Sequence, residues 1–441
     1  MEGPISKTTS STGELQGPVK QPERPRLLEV LGPGLITGAS DDDPSGIATY
    51  SQAGAQFGYD IGWMMFFSWP LMCAIQEISA RIGRVTGYGV AGNLKRHYPR
   101  PLLAAIVTLL LIANTINLGA DLGAMAAALR LVVGGPQLLY VAMFGVVSVV
   151  LEVFVRYSRY VSVLKWLTLA LFAYVGVVLV VHVPWATVAH NLIVPHIEFT
   201  AAYLTMVVAI LGTTISPYLF FWQAEEEVEE VKERDGAKPL ERAPEQAPAE
   251  FQRIRWDTYV GMALSNAVAL FIIVTCAATL NAQGVTNIQT SAQAAEALRP
   301  IAGAAVFVVF ALGIVGTGLL AVPVLAGSAA YAVGEAFGWH VGLARKFQRA
   351  KSFYGVLIVA TVVGALLNFT PIDPIKALFW TAVINGVVAV PVMAMMMLLT
   401  ANKAAMGEFT LPPILKGVGW LATLVMVAAV VGMFATLGQG G

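Results

Sequence analysis

Apolar residues come in long runs along almost the whole chain, each closed by a short polar or Gly/Pro-rich stretch. The runs are about 20 residues long, enough for a helix to cross a hydrocarbon core of about 30 Å at 1.5 Å per residue. They predict eleven membrane helices, at 27–57, 61–82, 101–129, 137–155, 160–183, 201–223, 256–280, 301–334, 353–369, 374–399 and 415–436. The first and the sixth are interrupted, each at a proline inside a polar or small-residue cluster. The first carries Ser40-Asp41-Asp42-Asp43-Pro44-Ser45-Gly46, and the sixth carries Gly212-Thr213-Thr214-Ile215-Ser216-Pro217-Tyr218.

Paired broken helices in two halves of a membrane protein point to a transporter's substrate site. Five helices per half place the second unit upside down relative to the first, which is an inverted repeat. The expected organisation is a tail at 1–26, a first five-helix repeat at 27–183, a second at 201–399 and an eleventh helix at 415–436. A charged cytoplasmic loop at 224–252 falls inside the second repeat. Lys and Arg test the orientation, since cytoplasmic segments hold the positive excess. With the N-terminus inside, all of the 27 Lys and Arg except Arg130, Arg299 and Lys376 fall on the cytoplasmic side. The C-terminus is then extracellular.

Composition agrees. At 57% hydrophobic and 12% charged residues, with a mean hydropathy of +0.70, the chain exceeds what one soluble domain could bury. Net charge is zero, so nothing favours nucleic acid. Cys73 and Cys276 both lie in apolar runs, where a lone thiol behaves as a small hydrophobe, and neither a disulfide framework nor a CxxC metal site is supported. The first 26 residues are rich in Pro, Ser, Thr and Lys and lack the apolar core of a signal peptide. The run Glu225-Glu226-Glu227-Val228-Glu229-Glu230 is either an acidic mouth that gathers cations or a solvated helix end leading into a linker; the second is the plainer expectation.

The breaks carry the chemistry. An Asp at the centre of a membrane helix costs about 2.5 to 3.5 kcal/mol, so Asp41, Asp42 and Asp43 require a partner or a wet cavity. They also fall at the C-terminal end of a half-helix, the negative end of its dipole. A bound cation relieves both penalties; an anion adds to them. Asp41 and Asp42 could instead cap the break. Proline frees carbonyls of the preceding turn, so the carbonyls around Ala39 to Asp41 and around Gly212 to Thr214 are candidate ligands. The Ser45, Thr213, Thr214 and Ser216 hydroxyls are further oxygens. All these donors are hard, with no His, Cys or Met among them, which favours Mg²⁺, Mn²⁺ or Ca²⁺ over softer metals.

The stretch Leu31-Gly32-Pro33-Gly34-Leu35-Ile36-Thr37-Gly38 leading into Asp43-Pro44-Ser45-Gly46-Ile47-Ala48-Thr49 resembles the opening of the NRAMP divalent-metal transporters, whose usual motif is Asp-Pro-Gly-Asn. Gln76-Glu77-Ile78-Ser79-Ala80-Arg81-Ile82-Gly83-Arg84-Val85-Thr86-Gly87 looks like that family's second helix and is the most specific match. Similarity runs from about 28 to 407. It implies an all-α integral membrane protein of the LeuT-type 5+5 inverted repeat, with alternating access and metal bound between the first and sixth helices. The chain is similar to a divergent branch. Where the family's sixth helix reads Met-Pro-His with a second His five residues on, this chain has Ser216, Pro217, Tyr218 and Gln223. Gly46 stands where the helix-1 Asn is usual. Losing the Met sulfur is similar to the magnesium-transporting branch.

The resemblance places Asp43 as the anionic metal ligand, with Ala39, Ser40, Thr213, Ser216 and Asn385 completing the shell. Asp42, Ser45, Gly46, Thr214 and Tyr218 line the site. Asp121 and Gln223 fall on the family's proton path, although the acidic partner expected three residues after Asp121 is Ala124. The five histidines, His97, His182, His190, His196 and His340, all fall in loops or helix ends, so weak or absent proton coupling is expected. Glu77 and Arg81 read as an i,i+4 pair, and Met393 to Met397 as packing. The expected activity is secondary transport of a hard divalent cation, of the Mn²⁺ or Mg²⁺ class, across the cell membrane. The metal is cargo; no cofactor, enzymatic chemistry or obligatory protein partner is expected beyond the lipid bilayer. The second reading keeps the fold and moves an organic cation, amino acid or other small solute. A two-aspartate intramembrane hydrolase needs a GxGD-like element that Gly119-Ala120-Asp121 does not supply.

Overall fold

The computed structural model describes residues 37–38, 40–155, 167–343, 345 and 347–438. Among them every regular element is a helix. The principal ones are α1 (Pro44–Phe57), α2 (Trp63–Thr86), α3 (Val90–His97), α4 (Arg100–Val133), α5 (Gln137–Phe154), α6 (Phe172–Val180), α7 (Trp185–Ile193), α8 (Ala201–Thr214), α9 (Pro217–Glu233), α10 (Ala247–Thr279), α11 (Val306–Phe337), α12 (Lys351–Leu367), α13 (Pro374–Ala401) and α14 (Pro413–Leu437).

Seven helical stretches among the described residues are long and apolar enough to cross a membrane by themselves: α4, α5, α8 with α9, α10, α11, α13 and α14. An eighth is a bent pair, 169–180 with α7, folded by 119°. The remaining expected spans do not meet that criterion alone. The described part of the first is short because its leading half lies mostly outside the described residues, α2 carries Glu77, Arg81 and Arg84 within its length, and α12 has only 17 residues.

Two expectations need correction. The fifth span was expected as one helix over 160–183. Its start lies outside the described residues, and the rest is a 3-10 turn at Leu167–Leu171 followed by α6, which stops at Val180. Pro184 lacks an N–H and starts α7 in a new direction. The acidic run after the sixth span is not a solvated helix end. It belongs to α9, which continues to Glu233, and Glu225 and Glu227 are buried. Arg253 of α10 meets Glu227 at 2.5 Å, Glu230 at 3.1 Å and Glu250 at 2.9 Å. Arg84 of α2 lies 3.4 Å from Glu250. Glu227 and Glu250 stay buried there because Arg253 of α10 and Arg84 of α2 share them.

The breaks are positioned by close helix contacts at glycine. A Cβ on Gly212 would fall 2.0 Å from the Ala382 carbonyl oxygen, so α8 and α13 touch backbone to backbone. At Gly54 it would fall 2.2 Å from the Ile273 carbonyl oxygen, which seats α1 equally tightly on α10. Small residues allow such approaches in a bilayer, where apolar burial adds little to helix association. The long helix α4 packs along α11, α12 and α13, and this brings its polar positions beside the α1 break.

Candidate functional site

Residues 40 and 41 are helical, Asp42 bends, and Asp43 caps α1 in an extended conformation (φ −68°, ψ 170°) with Pro44 at the first helical position. The local chemistry is that of a helix start: Asp43 Oδ1 accepts the Gly46 N–H at 2.7 Å, and the proline's missing donor is one no helix needs there. The Asp43 side chain is 1% exposed. Its second oxygen, Oδ2, accepts from Asn117 Nδ2 of α4 at 3.2 Å and from the Tyr218 hydroxyl of α9 at 3.3 Å. Both lie at the long end of hydrogen-bond geometry. The Tyr218 hydroxyl also lies 3.4 Å from the Ser40 carbonyl. Both breaks therefore meet at one carboxylate.

Asp41 and Asp42 turn toward α10, where the Ser265 hydroxyl lies 2.6 Å from Asp41 Oδ2 and 3.3 Å from Asp42 Oδ1. Asp41 Oδ1 has no partner among the described residues. Asp121, on α4 one turn beyond Asn117, is fully buried with neither oxygen partnered there. No Lys, Arg or His among the described residues pairs with any of these four aspartates.

The second break closes on itself. The Ser216 hydroxyl lies 2.6 Å from both the Gly212 and the Thr213 carbonyl oxygens and donates to that pair. Thr213 Oγ1 lies 2.9 Å from the Tyr50 hydroxyl and donates to the Ile210 carbonyl at 3.0 Å, while Thr214 donates to that same carbonyl. Asn385 of α13 is 1% exposed, and both polar atoms of its amide are unpartnered among the described residues. Gln223 Oε1 accepts from Thr37 at 2.6 Å. Ser45 and Gly46 follow Asp43 in the first turn of α1 and are buried. Ala39 lies outside the described residues. Among the described residues no three His, Cys, Asp or Glu side chains form a ready cluster for a metal; one carboxylate, backbone carbonyls and amides are what the site offers. The Glu77–Arg81 pair is present at 2.7 Å, with the Tyr259 hydroxyl on the other carboxylate oxygen at 3.0 Å.

Farther along α1, at the end away from the Arg–Glu network, a cavity of 360 Å³ is lined by Ala48, Gln52 and Gln56 together with Asn287, Lys376 and Trp380. Ala48 is about 7 Å from Asp43 along the helix at 1.5 Å per residue.

Three residues at the site were not anticipated, Asn117, Ser265 and Tyr50. A signal for the first stands in the chain. Asn114, Asn117 and Asp121 are three and four residues apart in an otherwise apolar run, so they share one helix face. Ser265 gives no such signal.

A helical membrane bundle with two discontinuous helices meeting at a buried carboxylate has the architecture of a secondary transporter. The family model described as natural resistance-associated macrophage protein-like, Nramp, matches residues 34–436, and the chain belongs to that family. It is 26% identical over 408 residues to the divalent metal cation transporter MntH of Klebsiella pneumoniae, covering 91% of this chain and 92% of that protein. In structure it resembles the Eremococcus coleocola manganese transporter, with a TM-score of 0.71 at 18% identity, covering 96% of this chain and 91% of the other. The nucleobase-cation-symport-1 family transporter Mhp1 shares the fold more distantly, with a TM-score of 0.54 at 16% identity over 92% of this chain and 93% of that one. The LeuT-type fold follows.

Proposed function

We propose that this chain carries a hard divalent cation, of the Mn²⁺ or Mg²⁺ class, across the cell membrane by alternating access, with Asp43 as its anionic ligand. One observation carries the reading: Asp41, Asp42, Asp43 and Asp121 lie buried together in the membrane-spanning region without a cationic side chain paired to any of them among the described residues. A membrane protein retains such groups where they serve an ion, and a dication offsets negative charge that no protein cation offsets there. The relatives described as a divalent metal cation transporter and a manganese transporter support the same reading.

Ligand chemistry narrows the ion. The carboxylate of Asp43, the carbonyls of Ala39, Ser40, Gly212 and Thr213, and the Asn385 amide are oxygen donors, which suit Mg²⁺, Mn²⁺ and Ca²⁺. A hard ion keeps part of its water shell, and Gly46 and Ser216 are smaller than the Asn and Met usual at those positions. The count of Lys and Arg places the Arg–Glu network in the cytoplasm and the 360 Å³ cavity on the outer side. Cargo then enters along the Ala48–Gln52–Gln56 face of α1, while the ion pairs of α2, α9 and α10 hold the inner side shut. No histidine is part of this path, so proton coupling is weak or absent.

The test is uptake into proteoliposomes with Mn²⁺, Mg²⁺, Ca²⁺ and an internal pH dye followed together. Saturable uptake of one of these ions without a matching pH change is the expected result. Acidification in step with uptake would restore strong proton coupling, and failure of all three ions to bind or compete would favour an organic solute, the cargo class to which the Mhp1-like fold also lends itself.

A further inference from the structure

The family's usual helix-1 amide is absent here, and Gly46 stands in a tight spot. A Cβ at position 46 would fall 3.2 Å from the Asp41 carbonyl oxygen and 3.3 Å from the Tyr50 ring. Both distances are tighter than ordinary contact, and backbone is one of the obstacles.

An amide reaches the same carboxylate from another helix. Asn114, Asn117 and Asp121 form the polar face of α4, and the structure uses them differently. Asn114 spends its N–H donors on holding α11, at 2.9 Å to the Leu325 carbonyl and 2.8 Å to the Ser328 hydroxyl. Asn117 makes one long bond, to Asp43 Oδ2 at 3.2 Å. That bond fixes which way the amide faces, because a carboxylate accepts and only the NH₂ end of the amide donates. The other end, Oδ1, is a fully buried acceptor without a partner among the described residues. Leaving a buried acceptor unsatisfied costs about 1 to 3 kcal/mol, so an apolar residue would serve plain packing better.

We propose that α4 supplies the amide that α1 lacks: the Asn117 side-chain oxygen is a direct ligand of the divalent cation held by Asp43. This rests on the cation reading given above. A cation docking at Asp43 Oδ2 takes the place of the Asn117 N–H and Tyr218 O–H donors on that oxygen. Half a turn of the amide about its Cβ–Cγ bond then brings Oδ1 to the ion, and with Oδ1 otherwise unbonded the turn gives up only the long N–H bond. The site gains a third wall, with α1 supplying charge, the α8–α9 break supplying carbonyls and α4 supplying a neutral oxygen. Tying α4 to the cargo also links the first repeat to α11, α12 and α13, against which α4 packs.

The experiment is calorimetric titration of Mn²⁺, with Mg²⁺ and Ca²⁺ as competitors, into the full chain in lipid nanodiscs. Asn117→Leu keeps the volume and removes the amide; it is expected to weaken Mn²⁺ at least about tenfold. Asn117→Asp keeps an oxygen at the same reach and is expected to stay within about threefold of the parent protein. Equal losses in both variants would assign Asn117 to holding Asp43 through its N–H and overturn the ligand role. An unchanged Kd in Asn117→Leu, beside lost binding in Asp43→Ala, would overturn it too while leaving the cation reading intact. Absence of binding by the parent protein to all three ions would overturn the cation reading itself. Should Asn117→Leu fail to fold, Asn117→Asp decides alone, and a loss of about tenfold or more there sinks the proposal.

Discussion

The two breaks begin from the same backbone problem and end in opposite electrostatic conditions. At the α8–α9 break the freed carbonyls of Gly212 and Thr213 find a donor within their own turn, the Ser216 hydroxyl at 2.6 Å. At the α1 break a carboxylate caps the new helix with one oxygen and leaves the other to two long bonds from neighbouring helices. One break closes on itself through a hydroxyl, while the other presents a carboxyl group whose second oxygen reaches two neighbouring helices. The difference assigns them different work. On the proposed reading, binding energy for a cation comes from α1, while α8 and α9 set the shape of the carbonyl wall that faces it.

The strongest test of that division removes the charge and leaves the shape. Asp43→Asn keeps an oxygen for the Gly46 N–H, so α1 should still form. Divalent-ion affinity should fall by about 100-fold or more, about 2.8 kcal/mol at 1.4 kcal/mol per decade, measured by calorimetry in nanodiscs. An affinity within a few-fold of the parent protein would place the charge that holds the ion somewhere other than the α1 break, with Asp121 the next candidate.

The second test moves the neutral wall and leaves the charge. Gly212→Ala places a methyl 2.0 Å from the Ala382 carbonyl oxygen and 2.5 Å from the Gly386 nitrogen. Neither obstacle is a flexible side chain, so α8 and α13 must separate. Such overpacking costs about 1 to 3 kcal/mol, seen as a lower melting temperature in detergent, and uptake should fall further than affinity because Asp43 is untouched. A melting temperature and uptake rate equal to those of the parent protein would mean that the backbone contact does not set the carbonyl wall.

How far the sequence foretold these two regions depends on what each is made of. Both prolines sit in polar clusters, so both breaks were legible, and Asp43 stood out because charge is scarce in an apolar run. The all-helical membrane class was legible through run length, and the LeuT-type fold through the paired breaks and the family resemblance. The ion-pair network was not, because Glu225 to Glu230 reads as solvated until Arg253 arrives from another helix to pair with Glu227 and Glu230, and Arg84 with Glu250 beside them. Asn117 left a periodic trace with Asn114 and Asp121, set in a long and mostly apolar run that read as a plain membrane span. Ser265 left none, since one serine in a membrane helix is unremarkable until Asp41 faces it at 2.6 Å. The Ser216 hydroxyl looked like an oxygen for cargo, and only its position relative to Gly212 and Thr213 shows that its proton is directed to the backbone.

The smallest expected effect is also the most discriminating. Ser216→Ala removes the donor shared by two buried carbonyls, at a cost near that of one ordinary hydrogen bond, about 1 kcal/mol. If the hydroxyl serves the backbone, stability without added cation drops by that amount while affinity changes by less than about threefold, under about 0.7 kcal/mol. The reason is that each carbonyl has two lone pairs, and the one directed at cargo does not depend on the one Ser216 occupies. If instead the hydroxyl oxygen is itself a ligand, affinity should fall by about tenfold or more with a comparable loss of stability, since a hard ion loses a coordinating oxygen that water must replace. Stability and affinity measured on one sample separate the two, because binding to the folded state adds to stability by a term set only by concentration and Kd. A change confined to stability keeps the breaks distinct, one for charge and one for shape. A parallel loss of affinity would make them two halves of one coordination shell, with the self-bonded geometry of Ser216 giving way when cargo arrives.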